Sequence, residues 1–445
     1  MFSEVYAILA LFCATALSAV VLPVHQEDAP LILTPLIKNG ETENAKALSA
    51  VDPSLFAGVN SHAGYFTVDD TRKWNLFFWY FPAQEVDLES TPLIIWLQGG
   101  PGGSSLFGLF KEIGPVRIVN NTAEKMPITW GSDYSLLFID NPVGTGFSFT
   151  EGEKYATNED EIGASLLSFI QQFLSVFPEL RKAPLFIAGE SYAGKYIPAF
   201  GHYIHINQNE SMPINLKGLA IGDGWIDPPT LLHTSEWAEQ VGLLDPKQAA
   251  VVHEIEEQAR RYWDEGNYEA YFQTAPNAYN TFASYAPVDP YNFLLDPTEN
   301  YKPLEIFLNR PDVQNALHVK NMEFKTSNNL VHFHLLQDEY DTVKPWLEDL
   351  LEHYGVMCYN GQLDVIVAYA LSVHTYRSLN WSGAQAYRAA ERTRLNHADD
   401  NTFSSFVKAS GNFMDVMVRG AGHVVPADKP RAAKQIIDLF ISKFK

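Results

Sequence analysis

The chain has 445 residues, 46% of them hydrophobic and 13% aromatic, enough apolar mass to bury a large core and to exclude global disorder. Acidic residues outnumber basic ones 53 to 31, and a net charge of −22 repels phosphate backbones and anionic lipid, which argues against a nucleic-acid partner. The length exceeds one average domain, but an α/β enzyme with an insertion reaches this size around a single core.

The first element is an apolar segment, Val5 to Leu22, with Ala16, Ser18 and Ala19 near a plausible cleavage point. It predicts a secretory signal peptide over residues 1–19, although its start carries Glu4 and no Lys or Arg. The segment is short for a spanning helix and Pro23 follows it, so no membrane span is expected after its removal. Residues 20–60 read as an N-terminal arm or a propeptide, with organised structure expected from near Gly64. Sequons at Asn120, Asn209 and Asn380 are candidate glycosylation sites on the secretory route. Of the two cysteines, Cys13 falls in the predicted signal, which leaves Cys358 without an intrachain partner. Its setting, Tyr354-Gly355-Val356-Met357-Cys358-Tyr359, is that of a buried strand and an inert core thiol.

Tyr65-Phe66-Thr67-Val68 and Asn75 to Phe81 flank Asp69-Asp70 as a hairpin of aromatic and β-branched strands. Short apolar runs follow at Leu93 to Leu97, Ser135 to Asp140, Leu185 to Gly189, Leu216 to Gly222, Val356 to Tyr359 and Phe413 to Val418. Such runs are the buried strands of a mostly parallel sheet. Acids at Glu159, Asp160 and Glu161, apolar residues at Ile162, Leu166, Phe169, Ile170, Phe173, Leu174 and Phe177, and the stop at Pro178 describe an amphipathic crossover helix. Residues 228–317 change character to polar helices and Tyr- and Pro-rich connections without a strand repeat. They read as an inserted, mainly helical cap within a catalytic domain of residues 61–445.

Gly189-Glu190-Ser191-Tyr192-Ala193-Gly194 leaves the Leu185 strand as a sharp turn that lifts a serine hydroxyl above the sheet. The usual turn of this kind is G-x-S-x-G, whereas here Ala193 holds the fifth place and Gly194 the sixth. A serine nucleophile needs a base and an orienting acid on loops after later strands, in the order Ser, Asp, His. Asp364 follows the Val356 strand and His423, crowded by glycines in Gly420-Ala421-Gly422-His423, follows the Phe413 strand. The third element is Gln98-Gly99-Gly100-Pro101-Gly102-Gly103-Ser104-Ser105, directly after the Leu93 strand. Its glycines let backbone N–H groups turn into a cleft beside the N–H of the residue after the serine. A phosphate-binding loop would need the G-K-[ST] ending, which this loop lacks.

The segments around Gln98, Ser191, Asp364 and His423 resemble the serine carboxypeptidase family of the α/β-hydrolase fold, from about Gly64 to the C-terminus, and most closely its vitellogenic and lysosomal-type branch. The resemblance implies Ser191 as nucleophile, His423 as general base and then acid, and Asp364 as the residue that orients the imidazole. It implies the N–H groups of Gly100 and Tyr192 as the oxyanion hole. The free carboxylate of the substrate would be held by Gln98, Gly99 and Glu190, with Glu112 as the second member of a carboxyl pair. A carboxylate accepts no hydrogen bond from another carboxylate, so one acid of the pair must be protonated, which implies an acidic optimum. Many members have Asn where this chain has Gln98 and Cys where it has Gly103. Phe107 and Val367 match positions that line the pocket for the leaving residue.

The expected activity is therefore release of single amino acids from free C-termini of peptides and proteins through an acyl-enzyme, with no metal or organic cofactor implied. The expected location is the secretory route, outside the cell or in a lysosome or vacuole. Two other readings use the same fold: an acyltransferase or esterase on the same triad, and a catalytically silent binding or storage protein. The pair of Glu190 with Glu112 favours a free-carboxylate substrate over the former, and the intact triad speaks against the latter.

Overall fold

A computed structural model describes residues 29–84, 86–152, 154–209, 213–296 and 302–445. The expected signal peptide and Cys13 lie outside these residues, as do Glu210 and Ser211 of the second sequon.

The expected strands assemble into one 12-stranded sheet. We number the principal ones β1 (Ser61–Asp69), β2 (Trp74–Phe81), β3 (Leu93–Leu97), β4 (Ser135–Ile139), β5 (Leu185–Glu190), β6 (Leu216–Gly222), β7 (Gly355–Gly361), β8 (Phe403–Ser410) and β9 (Phe413–Val418). The central order is β4-β3-β5-β6-β7-β9, with every neighbouring pair parallel. Antiparallel pairs complete both sides: β1 against β2 and β2 against β4, and β8 against β9. The sheet as a whole is mixed, and the mostly parallel expectation describes its centre. Hairpins at the edges need only short turns, whereas each parallel step needs a crossover that covers a face.

Helices on both faces complete the burial that leaves β3, β5 and β9 buried along their whole length. Helix α1 (Glu159–Val176) starts where the Asn158 side chain accepts from the Glu161 N–H at 3.0 Å and ends before Pro178. Its Ile162, Leu166, Phe169, Ile170, Phe173 and Leu174 are buried beside β1 and β2, where the Phe169 ring meets the stacked pair of Phe66 and Phe78 edge-on. Each such side chain contributes about 1.5–3 kcal/mol of burial free energy. One acid of the first turn departs from the solvated pattern: Glu159 is buried, and burial first and Asp338 second push its carboxyl well above the usual range. The opposite face is closed by α5 (Pro430–Phe444), whose Ile436, Ile437 and Phe440 are buried in the second core.

Two boundaries shift relative to the sequence expectation. Residues 31–57 are not a lead-in to structure: Leu31, Leu33 and Phe56 fill the cores, and Ile32 bridges to Tyr65. Organised structure thus begins some thirty residues before Gly64; the polar composition of this stretch concealed a few well-placed apolar anchors. The insertion between β6 and β7 contains the expected helices, among them α3 (Pro246–Asp264) and α4 (Tyr268–Tyr285), with small apolar clusters of their own. Its later part behaves differently. Leu304, Phe307, Leu308, Val313 and Leu317 join the body's second core, so residue 317 does not mark a return from cap to body.

Candidate active site

The register of the sheet assembles the site. Leu97 pairs with Gly189, Gly222 with both Glu190 and Tyr359, and Gly361 with Val418, so five strand ends lie side by side. Gln98, Ser191, Asp223, Asp364 and His423 each follow one of these ends. This is the edge at which open α/β sheets hold their ligands.

The turn through Ser191 explains its unusual glycine spacing. A Cβ at Gly189 would lie 2.1 Å from the Leu97 carbonyl oxygen, and one at Gly194 would lie 2.6 Å from the Trp225 N–H nitrogen. The first glycine admits β3 and the second admits the Gly224-Trp225 backbone, while the fifth position has room for Ala193. Ser191 itself has φ +61°, a left-handed conformation rarely taken by serine and held here by bonds of its N–H to the Gly222 carbonyl and of its carbonyl to the Trp225 N–H, both 2.9 Å. Its helix, α2 (Ala193–Ile206), is fixed from below by a buried Lys195–Asp338 ion pair at 2.7 Å, and the Tyr192 hydroxyl donates to the same Asp338 at 2.8 Å.

The structure brings all three residues of the expected triad to one place. His423 Nδ1 donates to Asp364 Oδ2 at 2.8 Å, and both side chains are buried. Backbone N–H groups of Ile366 and Val367 reach Asp364 Oδ1 and Oδ2 at 2.9 and 3.2 Å and fix the carboxylate. The imidazole stacks on Tyr291, and the His423 N–H donates to the Tyr291 carbonyl at 2.7 Å. Burial pulls the His423 pKa down, but Asp364 and Glu190 together outweigh it and leave the imidazole more basic than usual. His423 Nε2 is buried without a hydrogen-bond partner and shares a cavity wall with Ser191. A base–serine contact commonly tightens only when substrate arrives.

The Gly-rich loop packs on the serine turn so closely that a Cβ at Gly99 would lie 2.5 Å from the Tyr192 nitrogen. Gly100 has φ +122° and lies beside Ser191. Asp140, at the end of β4, pins the loop: its Oδ1 accepts from Ser104 Oγ at 2.6 Å and from the Ser105 N–H at 3.0 Å. Burial raises this carboxyl to about 6 against those bonds.

Beside the serine lies the expected pair of acids. The Trp96 indole donates to Gln98 Oε1 at 2.9 Å, which turns Gln98 Nε2 toward Glu190 Oε1 at 2.7 Å. Glu112, at the end of the Leu106–Lys111 helix, is buried and not a surface acid. Its carboxyl is pushed well up, by burial first and by the negative charge of Glu190 second. Burial likewise raises Glu190, while a charged His423 and hydrogen bonding from Glu112 and Gln98 work against the rise. Both Glu112 oxygens and Glu190 Oε2 have no conventional hydrogen-bond partner. One shared proton is what such a buried pair requires.

Ser191 sits between two cavities. One, of about 580 Å³, is lined by Gln98, Gly99, Glu190, His423, Phe107 and Tyr291. The other, of about 230 Å³, lies under the cap against Trp225, Leu232, Ala275, Tyr279 and Tyr340. Phe107 faces the first and Val367 the second, so the two residues do not line one common pocket. Asp223, Asp364 and His423 form the one cluster with metal-like spacing among the described residues, and the His423–Asp364 bond commits two of them to each other.

Comparison with known proteins places this arrangement. The model of the serine carboxypeptidase family matches residues 53–443. The chain belongs to the serine carboxypeptidase family. Among relatives of this family, the human "Probable serine carboxypeptidase CPVL" is 39% identical, with 94% of this chain and 91% of that protein covered. The vitellogenic carboxypeptidase of Aedes aegypti is also 39% identical, with the same coverage of both chains. Among solved structures, the prohormone-processing carboxypeptidase Kex1(delta)p of Saccharomyces cerevisiae superposes with a TM-score of 0.82 at 25% identity, covering 89% of this chain and 96% of its own. The fold is thus that of an α/β hydrolase of the serine carboxypeptidase type.

Other functional contacts carried weak sequence signals or none. Asp140 and Asp223 each end a buried strand, a place where an acid must have a partner. Asp338 and Tyr291 lie in the insertion, and nothing local marks them. Cys358 is buried in β7, and burial pushes its thiol well up, as expected of an inert core residue. Asn120, Asn209 and Asn380 are exposed. No helix among the described residues is long and apolar enough to cross a membrane.

Proposed function

We propose that this serine carboxypeptidase removes one residue at a time from free C-termini and works best in acid. The observation that carries this reading is the buried Glu112–Glu190 pair, tied through Gln98 to the Gly-rich loop beside Ser191. While the pair holds its proton it can donate to a substrate carboxylate, and the second N–H of Gln98 and the Gly99 backbone add further donors.

With the terminal carboxylate held there, the last peptide carbonyl lies over Ser191. Ser191 Oγ attacks the carbonyl carbon and His423 Nε2 takes the hydroxyl proton. The Gly100 and Tyr192 N–H groups face the developing oxyanion, and Asp364 keeps Nδ1 protonated so that Nε2 is the accepting nitrogen. The imidazolium passes its proton to the leaving amine, the C–N bond breaks, and the terminal amino acid departs from the larger cavity. Water, deprotonated by His423, then cleaves the acyl ester and restores Ser191.

The predicted signal segment, the exposed asparagines Asn120, Asn209 and Asn380 of the sequons, and relatives named as vitellogenic and venom carboxypeptidases support a secretory-route protein, secreted or lysosomal. Digestion of a mixed peptide library at pH 5, read by mass, tests the activity. Stepwise loss of single C-terminal residues is expected; internal cleavage, or no cleavage by folded protein, would contradict it.

A further inference from the structure

A second carboxyl pair, Asp223 with Asp364, lies beside the imidazole. Asp223 follows β6 in Gly222-Asp223-Gly224 and adopts φ +42°, a conformation that Asp and Asn tolerate better than most residues. It is completely buried. Oδ1 accepts from the Gly361 N–H at 2.8 Å, and Oδ2 is buried with no conventional partner. One oxygen of Asp223, one of Asp364 and a ring nitrogen of His423 all lie within 4.8 Å of one another. Asp364 is already committed to His423 and to the Ile366 and Val367 N–H groups, so it is the carboxylate of the two. An ionised Asp223 would put a second buried anion against it, with the imidazole the neighbouring group among the described residues that could offset either.

We propose that Asp223 is a positioning residue that keeps its proton and donates it to Asp364, so that the orienting acid of the triad is itself hydrogen-bonded by an acid. The groups facing Asp223 fit this. Asp364 and Glu190 are acids, Tyr359 from β7 and Tyr376 from the Tyr369–Ser378 helix are neutral phenols, and His423 is the one group able to carry positive charge. Burial first and Asp364 second push the Asp223 carboxyl well above the ordinary aspartate range, while the Gly361 N–H pulls the other way.

The consequence falls on His423. Asp364 makes the imidazole more basic, which works against a base that must lose its proton in acid. A hydrogen bond from Asp223 spreads the Asp364 charge and weakens its hold on the imidazolium. The catalytic rate then persists to lower pH than the triad alone would allow. The inference rests on the triad reading of Ser191, Asp364 and His423.

The test compares kcat–pH profiles on a peptide substrate for wild type, Asp223→Asn and Asp223→Gly, with the downfield proton resonance of His423 Nδ1–H followed in parallel. Asn keeps the Gly361 bond and donates to Asp364 at every pH, so its acid limb stays with that of wild type. Gly accepts the positive φ and donates nothing. Its acid limb should move up by about one pH unit, a tenfold change in proton affinity, and the Nδ1–H titration should move with it. A Gly variant whose acid limb coincides with wild type, or an Asn variant that shifts as far as Gly, would overturn the proposal. Failure of the underlying triad reading has a different signature: a Ser191→Ala variant that still releases C-terminal residues.

Discussion

The strand-end crest and the cap hold the same serine from opposite sides, and they are built to different tolerances. On the crest, Gln98, Glu190, Asp364 and His423 are buried, each is fixed by a hydrogen bond, and glycines at 99, 189, 194 and 222 admit neighbours that a Cβ would displace. Under the cap, Leu232 and Trp225 are half-buried and Tyr279 is 37% exposed, and they face the smaller cavity, Tyr279 from α4 and the other two from loops. The crest can place reacting groups to a fraction of an ångström, which chemistry demands. The cap can change side chains without disturbing the sheet, which suits selection among substrates.

The comparison breaks most sharply at Ser191. Ser191→Ala should lower kcat by about 10⁴-fold or more while the circular dichroism and Tm remain those of wild type. Residual activity within tenfold of wild type would remove the chemistry from the crest. Phe169→Ala, in the core beneath β1 and β2, should cost about 3–5 kcal/mol of stability, seen as a fall in Tm, because the buried ring leaves a cavity that the sheet does not close. Under the cap the effects should be smaller and of another kind. Tyr279→Ala should change the ratio of kcat/KM between peptides that differ only in the residue before the scissile bond by about 10-fold, with the rate of labelling by a small serine-directed phosphonate unaltered. A uniform fall on all peptides would mean that Tyr279 serves the crest and not selection.

The smallest expected effect lies off the crest, at the first turn of α1. Glu159 has a folded pKa raised by burial, so the folded state holds a proton that the unfolded state has already released. Its stabilising contribution is complete below the unfolded pKa and is lost as pH rises toward the folded value. Glu159→Gln should therefore raise Tm at pH 8 and leave it little changed at pH 4.5. The reverse dependence would mean that Glu159 is ionised in the folded protein.

The elements of the sheet were legible because buried parallel strands are short apolar runs, and those at Leu93, Leu185, Leu216 and Phe413 recur at their expected places. The meeting of Ser191, Asp364 and His423 was legible for a related reason: each follows such a run in a turn containing glycine. Glu112 came from family resemblance alone, since an acid at the end of a short helix reads as a solvated residue. Asp223 was missed although its flanking glycines after a buried strand repeat the signal that marks Ser191. Lys195 and Asp338 were beyond reach, because residues 143 apart in the chain meet only through the packing of the insertion on the body. The same long-range packing set the true start of the structure, which a few apolar side chains among polar residues did not announce.

The central claim is that a protonated carboxyl pair beside Ser191 reads a free chain end. Its direct test is the ratio of kcat/KM for a peptide to that for the same peptide as its C-terminal amide, measured from pH 4 to 8. Because burial raises both Glu112 and Glu190, the pair is protonated in acid and loses its proton as pH rises through their range. The ratio should be high near pH 4–5 and fall steadily toward unity, through a rise in KM for the free acid. A ratio that stays flat or climbs with pH would contradict the account.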